Sequence, residues 1–574
     1  MFSTMVISVL RKTGLLLLLA SIQMQVRAQT VQAFNYKVEK HGIFREAAVA
    51  SAHPLASKVG RMILAKGGNA VDAAIAMQWA LAVVYPQAGN IGGGGFMVAH
   101  LNDGRNLAID YREMAPAAAY RDMYLDEDGS VNSRKSIDGH LAVGVPGTVA
   151  GLFASHRYAK LPMATLIAPA IELAKLGFAV TAAEARGLNA LQSRFKQFNT
   201  SGNAFIRDVP WQEGDTLVQT DLANTLMRIS VAGEKGFYEG ETAQLIVAEM
   251  QRGHGIITLD DLKNYKAKYR DAIIFPYKGY KVITMPLPSS GGIILQQMMG
   301  MVEPYSIGKF KHNSAEAVQL MTEIERRAYA DRAAFLGDED FVNVPVAAIT
   351  NPGYLTRRMQ GYQPGIAGNS EQIQAGQIPD PSEQTTHLNV LDAAGNAVSV
   401  TTTLNGSYGS KVVVSRAGFF LNNEMDDFSA KPGVANMYGL VGNEANAIAP
   451  GKRMLSSMTP TIVLKENQPY IVTGTPGGST IITSVFQTLL NVIDFKLDAM
   501  ETVNAPKFHH QWLPDVIDVE ADFPEPVIEA LEKMGYKVHK RGAIGRTELI
   551  IKHGGNGQIE AVGDKRGDDS VAGI

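Results

Sequence analysis

The 574-residue chain contains no cysteine. That absence excludes disulfides, thiolate metal sites and a cysteine nucleophile together. Charge of one sign is missing too. The net charge is −3 and 19% of residues are charged, so the chain lacks the basic footprint that nucleic acid requires. Long apolar runs are absent. The run Gly14 to Ala20 falls well short of the roughly twenty residues that cross a bilayer. Several catalytic signatures are also missing: no G-x-S-x-G elbow, no phosphate-binding loop, no H-E-x-x-H. His509-His510 is the only histidine pair. Adjacent residues do not share a helix face, so no metal site is expected there, and nothing in the chain calls for a cofactor.

What is present describes a folded, exported protein. Apolar residues make up 46%, enough for a large core. Arg11 and Lys12 precede Gly14 to Ala20, and Val26-Arg27-Ala28 offers small residues for cleavage. Residues 1–28 are therefore read as a signal peptide, with a periplasmic or secreted mature chain starting near Gln29. Ala56 to Val84 reads as buried helices. The glycine run Gly89 to Phe96 leads into a strand rather than a helix, so it is a structural turn and no dinucleotide fingerprint. Leu161 to Met250 is helical, with Thr181, Thr220 and Asp221 as caps, and Thr258 starts another helix. Ser314 to Leu336 is a long amphipathic helix, expected to turn Glu323, Glu325, Arg326 and Arg327 to water. Asn351 to Ser382, with Pro352, Pro364, Pro379 and Pro381, reads as an exposed connector. Beyond it the pattern turns β-rich. A hairpin joins Thr386–Leu391 to Ala397–Leu404, and a second flanks Asn467-Gln468-Pro469. Pro476-Gly477-Gly478-Ser479 then opens an apolar helix.

The chemistry concentrates around Ser382-Glu383-Gln384-Thr385-Thr386-His387. A threonine hydroxyl needs a base beside it to become a nucleophile. Cleavage before Thr385 would put a free α-amine, with a pKa of about 8, on the same residue. The alternative is an ordinary threonine-rich strand start. Thr403 and Asn405 close the same hairpin and fold back toward its beginning. Gly477 and Gly478 sit at a helix N-terminus, where amides can face a developing oxyanion, or they form a plain entry turn. Arg112 is either a surface ion-pair partner or a fork for a carboxylate. Asn423 to Asp427 is either a solvated acidic loop or a reader of an ammonium. Ser456 and Ser457 offer hydroxyls to a carboxylate. Together these describe a pocket for a zwitterion.

On six ordered motifs the chain resembles the gamma-glutamyltranspeptidase (glutathione hydrolase) family of N-terminal-nucleophile hydrolases. They are Asp110-Tyr111-Arg112-Glu113-Met114-Ala115-Pro116, Gln384-Thr385-Thr386-His387, Gly395 to Asn405, Asn422 to Ser429, Leu455-Ser456-Ser457-Met458, and Thr475 to Ser479. The resemblance covers nearly everything after the signal peptide. One departure is Asn389, where a small hydroxyl residue is expected. The resemblance implies an α+β fold, a four-layer αββα sandwich made as a precursor. Cleavage between Gln384 and Thr385 would leave a large subunit, 29–384, and a small catalytic subunit, 385–574, paired as a heterodimer in one domain. It also implies roles. Thr385 is the nucleophile, assisted by Thr403. Arg112, Ser456 and Ser457 hold the α-carboxylate of a γ-glutamyl group, and Asn405, Glu424 and Asp427 hold its α-amine. Gly477 and Gly478 form the oxyanion hole, and Pro432 to Asn443, with Tyr438, forms a lid. Glutathione and other γ-glutamyl compounds are the implied donors, with water, amino acids or dipeptides as acceptors. A glutaryl-type β-lactam acylase is the rival on the same fold.

Overall fold

The computed structural model describes residues 31–375, 386–431, 433–441, 444–555 and 557–574. The signal peptide, Gln384, Thr385 and both ends of the lid stretch, Pro432 and Asn443, lie outside the described residues.

Fourteen strands build two seven-stranded sheets, each antiparallel throughout. We number them in chain order: β1 His41–Phe44, β2 Ala48–Ser51, β3 Gly94–His100, β4 Asn106–Asp110, β5 Lys268–Arg270, β6 Ile273–Tyr277, β7 Tyr280–Thr284, β8 Thr386–Leu391, β9 Ala397–Thr403, β10 Thr461–Lys465, β11 Gln468–Gly474, β12 Glu548–Lys552, β13 Ile559–Val562 and β14 Ser570–Gly573. One sheet runs β14-β2-β8-β9-β3-β4-β5 and the other β1-β13-β12-β11-β10-β7-β6. Both expected hairpins are present. β8 pairs with β9 from Thr386 opposite Thr402 to Leu391 opposite Ala397, and β10 pairs with β11.

Period-two alternation makes the layers. In the first sheet Val49, Leu388, Val390, Val398 and Val400 face a helical layer that includes α1 (Pro54–Ala65) and α2 (Ala70–Val84). The alternate residues Ala48, Ala50, Leu391 and Ala397 meet Ile462, Leu464, Val472 and Ile550 of the second sheet. Val463, Ile471, Leu549 and Ile551 then face α3 (Gly291–Val302), α4 (Ala315–Phe335) and α5 (Thr480–Ile493). The order of layers is α-β-β-α, the expected sandwich. Every residue of α2 is buried, as its nearly unbroken apolar composition requires. Asn69 starts it with a capping box to Asp72, and Thr181 and Thr258 cap their helices the same way.

One expectation fails here. The charges of α4 do not face water: Glu323, Glu325, Arg326 and Arg327 are at most 3% exposed. They pair with one another and with what covers them. Glu323 takes hydrogen bonds from Arg327 (2.5 Å), Tyr536 (2.8 Å) and the Gly368 amide (2.9 Å), and Arg326 pairs with Asp515. The cover is partly the connector itself. Its described part, 351–375, includes the helix Pro352–Arg358, whose Arg358 pairs with Asp331 of α4 at 3.0 Å. Ser370 is fully buried and its amide donates to Asp515 (2.8 Å). Proline and glycine make this segment irregular, and most of its described residues are exposed, as expected, while Leu355, Met359 and Ser370 are buried.

Candidate active site

Strand β4 delivers Arg112 to the site. It ends at Asp110, whose carboxylate binds Arg453 and accepts from the Arg112 amide (3.0 Å). The Arg112 carbonyl accepts from Tyr265 Oη (2.7 Å), so the backbone is clamped on both sides. The guanidinium is fully buried and faces three carboxylates. It bonds Glu424, reaches Asp427 at 2.6 Å and lies 3.4 Å from Glu113. It also donates to the carbonyls of Met454 (3.2 Å) and Leu455 (3.4 Å). Arg112 is thus no surface ion-pair partner.

The acids come from a short 3₁₀ turn, Glu424–Asp427, that is buried throughout rather than solvated. Asn422 holds its entry. The Asn422 side chain accepts from the Gly144 (2.9 Å) and Glu424 (3.0 Å) amides and donates to the carbonyls of Gly92 (2.9 Å) and Gly144 (2.8 Å). Burial raises the Glu424 carboxyl to about 7, although the Arg112 charge pulls the other way. Next to this turn, β9 ends at Thr403, whose Oγ1 accepts from the Asn405 amide (2.7 Å). Asn405 adopts φ of +66° and donates from Nδ2 to the Asn423 carbonyl (3.0 Å). The glycine run makes this proximity possible. A Cβ on Gly93 would stand 2.0 Å from the Thr403 carbonyl oxygen, so no other residue fits there.

The third wall is the loop before β10. Ser456 and Ser457 are fully buried. The Ser456 amide donates to Pro288 O (2.8 Å), and its carbonyl accepts from the Ser290 amide (2.7 Å) and Oγ (2.6 Å). Ser457 Oγ accepts from Arg332 (2.8 Å). Gly477 and Gly478 lie just before α5. Gly478 takes φ of +66°, a left-handed turn suited to glycine. Their carbonyls accept from Thr480 (3.2 Å) and Ile481 (3.1 Å), which joins the turn to the first turn of α5. Of the lid stretch, Asn436 to Leu440 makes a tight turn closed by the Asn436 amide on Leu440 O (2.9 Å). The Met437 amide donates to Asp426 (3.2 Å), and the Tyr438 carbonyl accepts from Gln511 (3.4 Å). Tyr438 therefore lies on a turn tied to the acidic segment.

Asn389 finds partners that a small hydroxyl would not reach. Its Oδ1 meets His387 Nε2 (2.9 Å) and its Nδ2 donates to the Glu548 carbonyl of the facing sheet (2.9 Å). His387, buried between the sheets, is pushed down to about 3 and stays neutral. Sequence reasoning missed Arg332 and Asp426. For Arg332 a signal existed. Glu323 and Arg332 are nine residues apart, about two and a half helical turns, so they stand on opposite faces of α4 and cannot share one wet side.

Three comparisons place this arrangement. The family model described as "Gamma-glutamyltranspeptidase" matches residues 56–574. A "Glutathione hydrolase proenzyme" of Escherichia coli (strain K12) is 47% identical over 534 residues, covering 92% of each chain. Among solved structures, the gamma-glutamyltranspeptidase of Helicobacter pylori is 43% identical at a TM-score of 0.56, covering 60% of this chain and 97% of that one. A cephalosporin acylase from Bacillus halodurans superposes over 95% of this chain and 98% of its own at a TM-score of 0.82, with 26% identity. With the family model spanning nearly all of the described chain, and a relative 47% identical over 92% of it, the protein belongs to the gamma-glutamyltranspeptidase family.

Proposed function

We propose that this protein is a self-processed γ-glutamyl hydrolase and transferase, with glutathione as a donor. One observation carries the reading: a buried guanidinium, Arg112, stands between two acids, Glu424 and Asp427, and binds the Met454 and Leu455 carbonyls that lead directly into the buried Ser456 and Ser457. An amino acid's ammonium and carboxylate match that charge set. The carboxylate goes to Arg112, Ser456 and Ser457, and the ammonium to Asn405, Glu424 and Asp427. No net charge is buried, because the ligand's two charges replace an ion pair the protein already holds.

Cleavage after Gln384 frees the Thr385 amine, leaving residues 29–384 and 385–574 as paired subunits once residues 1–28 are removed on export. No described helix is long and apolar enough to cross a membrane. The Thr385 hydroxyl attacks the γ-carbonyl while its own amine takes the proton, and Thr403 holds the hydroxyl in place. Gly477 and Gly478 amides receive the oxyanion; one such donor is worth about 3 kcal/mol of barrier. The amine then protonates the departing amide nitrogen, which leaves as cysteinylglycine when glutathione is the donor. A γ-glutamyl ester remains. Water or the amine of an amino acid or dipeptide attacks that ester by the same route, with Tyr438 and its turn above the pocket.

N-terminal sequencing of the smaller band tests the scheme: it should begin at Thr385, and Thr385→Ala should remain a single inactive chain. A glutaryl-type acylase is the second reading, favoured by the fold likeness to the acylase. Such a substrate has no amine, so Glu424 and Asp427 would have nothing to bind. Turnover of a γ-glutamyl anilide well above a glutaryl anilide supports the first reading, and equal rates reject it.

A further inference from the structure

Arg332 lies in the last turn of α4 and is fully buried. It belongs to none of the six motifs. Its Nη2 donates to Ser457 Oγ at 2.8 Å and its Nε donates to Ser290 Oγ at 2.9 Å. Ser290 in turn passes its hydroxyl hydrogen to the Ser456 carbonyl at 2.6 Å, and its amide reaches the same oxygen at 2.7 Å. One guanidinium therefore supports both serines of the Ser456-Ser457 pair, one directly and one through Ser290.

We propose that Arg332 is a positioning residue for donor recognition: by donating to Ser457 Oγ it turns the Ser457 hydroxyl proton toward the donor's α-carboxylate. This rests on the reading above, in which Ser457 meets that carboxylate. A guanidinium has donors and no acceptor. Ser457 Oγ must accept on the Arg332 side, so its single proton points away from α4. A serine free to rotate would divide its time between donating and accepting, and only donating serves a carboxylate. The Ser457 backbone is held as well, since its carbonyl accepts from Thr459 Oγ1 at 2.8 Å.

The same helix reaches the oxyanion turn: Tyr329, three residues before Arg332 and on the same face, donates to the Ser479 carbonyl just beyond Gly478. α4 thus supports both the carboxylate serines and the entry to α5.

The test compares two anilides that differ only in the α-carboxylate, γ-glutamyl and 4-aminobutyryl. Arg332→Gln should raise KM for the γ-glutamyl anilide by about 10- to 100-fold, the range for a lost hydrogen bond to a charged group. Its kcat should stay within about twofold, and kcat/KM for the 4-aminobutyryl anilide should be unchanged. Arg332→Lys keeps the charge but not the two-point fork and should recover part of the loss. Arg332→Gln combined with Ser457→Ala should be no worse than the poorer single variant. Equal losses on both anilides, or losses that multiply in the double variant, overturn the role. Equal losses on both anilides in Ser457→Ala would instead reject the carboxylate reading of Ser457, and Arg332's role with it. Should Arg332→Gln fail to mature, Ser290→Ala leaves the guanidinium in place while removing one of its acceptors. A several-fold KM rise confined to the γ-glutamyl anilide is then expected, and a loss shared by both anilides refutes the proposal.

Discussion

Arg112 Nη2 stands 2.6 Å from Asp427 Oδ2, with both side chains closed to solvent. Breaking such a pair by removing one member strands the other and costs several kcal/mol. Exchanging it for a ligand that carries both charges does not. On the proposed reading, the pair lets one pocket stay folded when empty and still take a zwitterion.

Asp427→Asn keeps the shape and removes the charge. Turnover of the γ-glutamyl anilide should fall by about 10- to 100-fold in kcat/KM, matching a lost charge-assisted bond of about 1.5–3 kcal/mol. The glutaryl anilide, with no ammonium, should be unaffected or improved. The ratio of the two rates is the measurement, and an unchanged ratio would mean that Asp427 does not read an amine.

Glu424 gives the site a pH dependence. Burial lifts its carboxyl from 4.5 to about 7. The anion, which binds an ammonium, dominates above that value, and the neutral acid dominates below it. Donor affinity should therefore be full above pH 7 and weaken as the pH falls to 6 and 5. In Glu424→Gln that step should vanish from the pH profile of donor KM, leaving a flatter and weaker binder. A step that survives the substitution belongs to another group.

Asn389 tests the packing between the sheets. Asn389→Ser withdraws one partner of His387 Nε2 and one of the Glu548 carbonyl, both buried; Ser399 Oγ stays 3.4 Å from His387 Nε2, and Thr473 Oγ1 still donates to the Glu548 carbonyl at 3.0 Å. Each lost hydrogen bond is worth about 0.5–1.5 kcal/mol, and for a chain of this size each kcal/mol lowers Tm by about 1 °C. A drop of about 1–3 °C by calorimetry is expected, with a native-like circular dichroism spectrum. An unchanged Tm would show that serine satisfies the same groups.

The strands and both hairpins were largely legible, because period-two alternation and hairpin turns are local properties of the chain; the αββα order of the layers came from the family resemblance. The capped helices at Thr181 and Thr258 were legible for the same reason. Arg332 and the cover over α4 were not. Charge at helical spacing says which residues share a face but not what lies against that face. For α4 the answer comes from Ser370, Asp515 and Tyr536, which are 44 or more residues further along the chain than the side chains they bind. The paired roles of Arg112 and Asp427 needed family motifs, since 315 residues separate them and no spacing rule spans such a distance.

Asp426, adjacent to Asp427, provides the last prediction. It is buried beside Ser136, whose hydroxyl donates to it at 2.6 Å, and it accepts from the Met437 amide of the lid turn at 3.2 Å. Burial raises its carboxyl from 3.8 to about 6, outweighing those two bonds. The folded state thus prefers the neutral acid more than the unfolded chain does. Stability from this group is fully present below pH 3.8 and is lost as the pH rises through 6. Asp426→Asn does not titrate. Relative to the unsubstituted protein it should gain on the order of 3 kcal/mol between pH 4 and pH 7, read as a Tm difference that widens with pH in parallel melts. A difference that is constant across that range would mean that Asp426 ionises as freely in the fold as outside it.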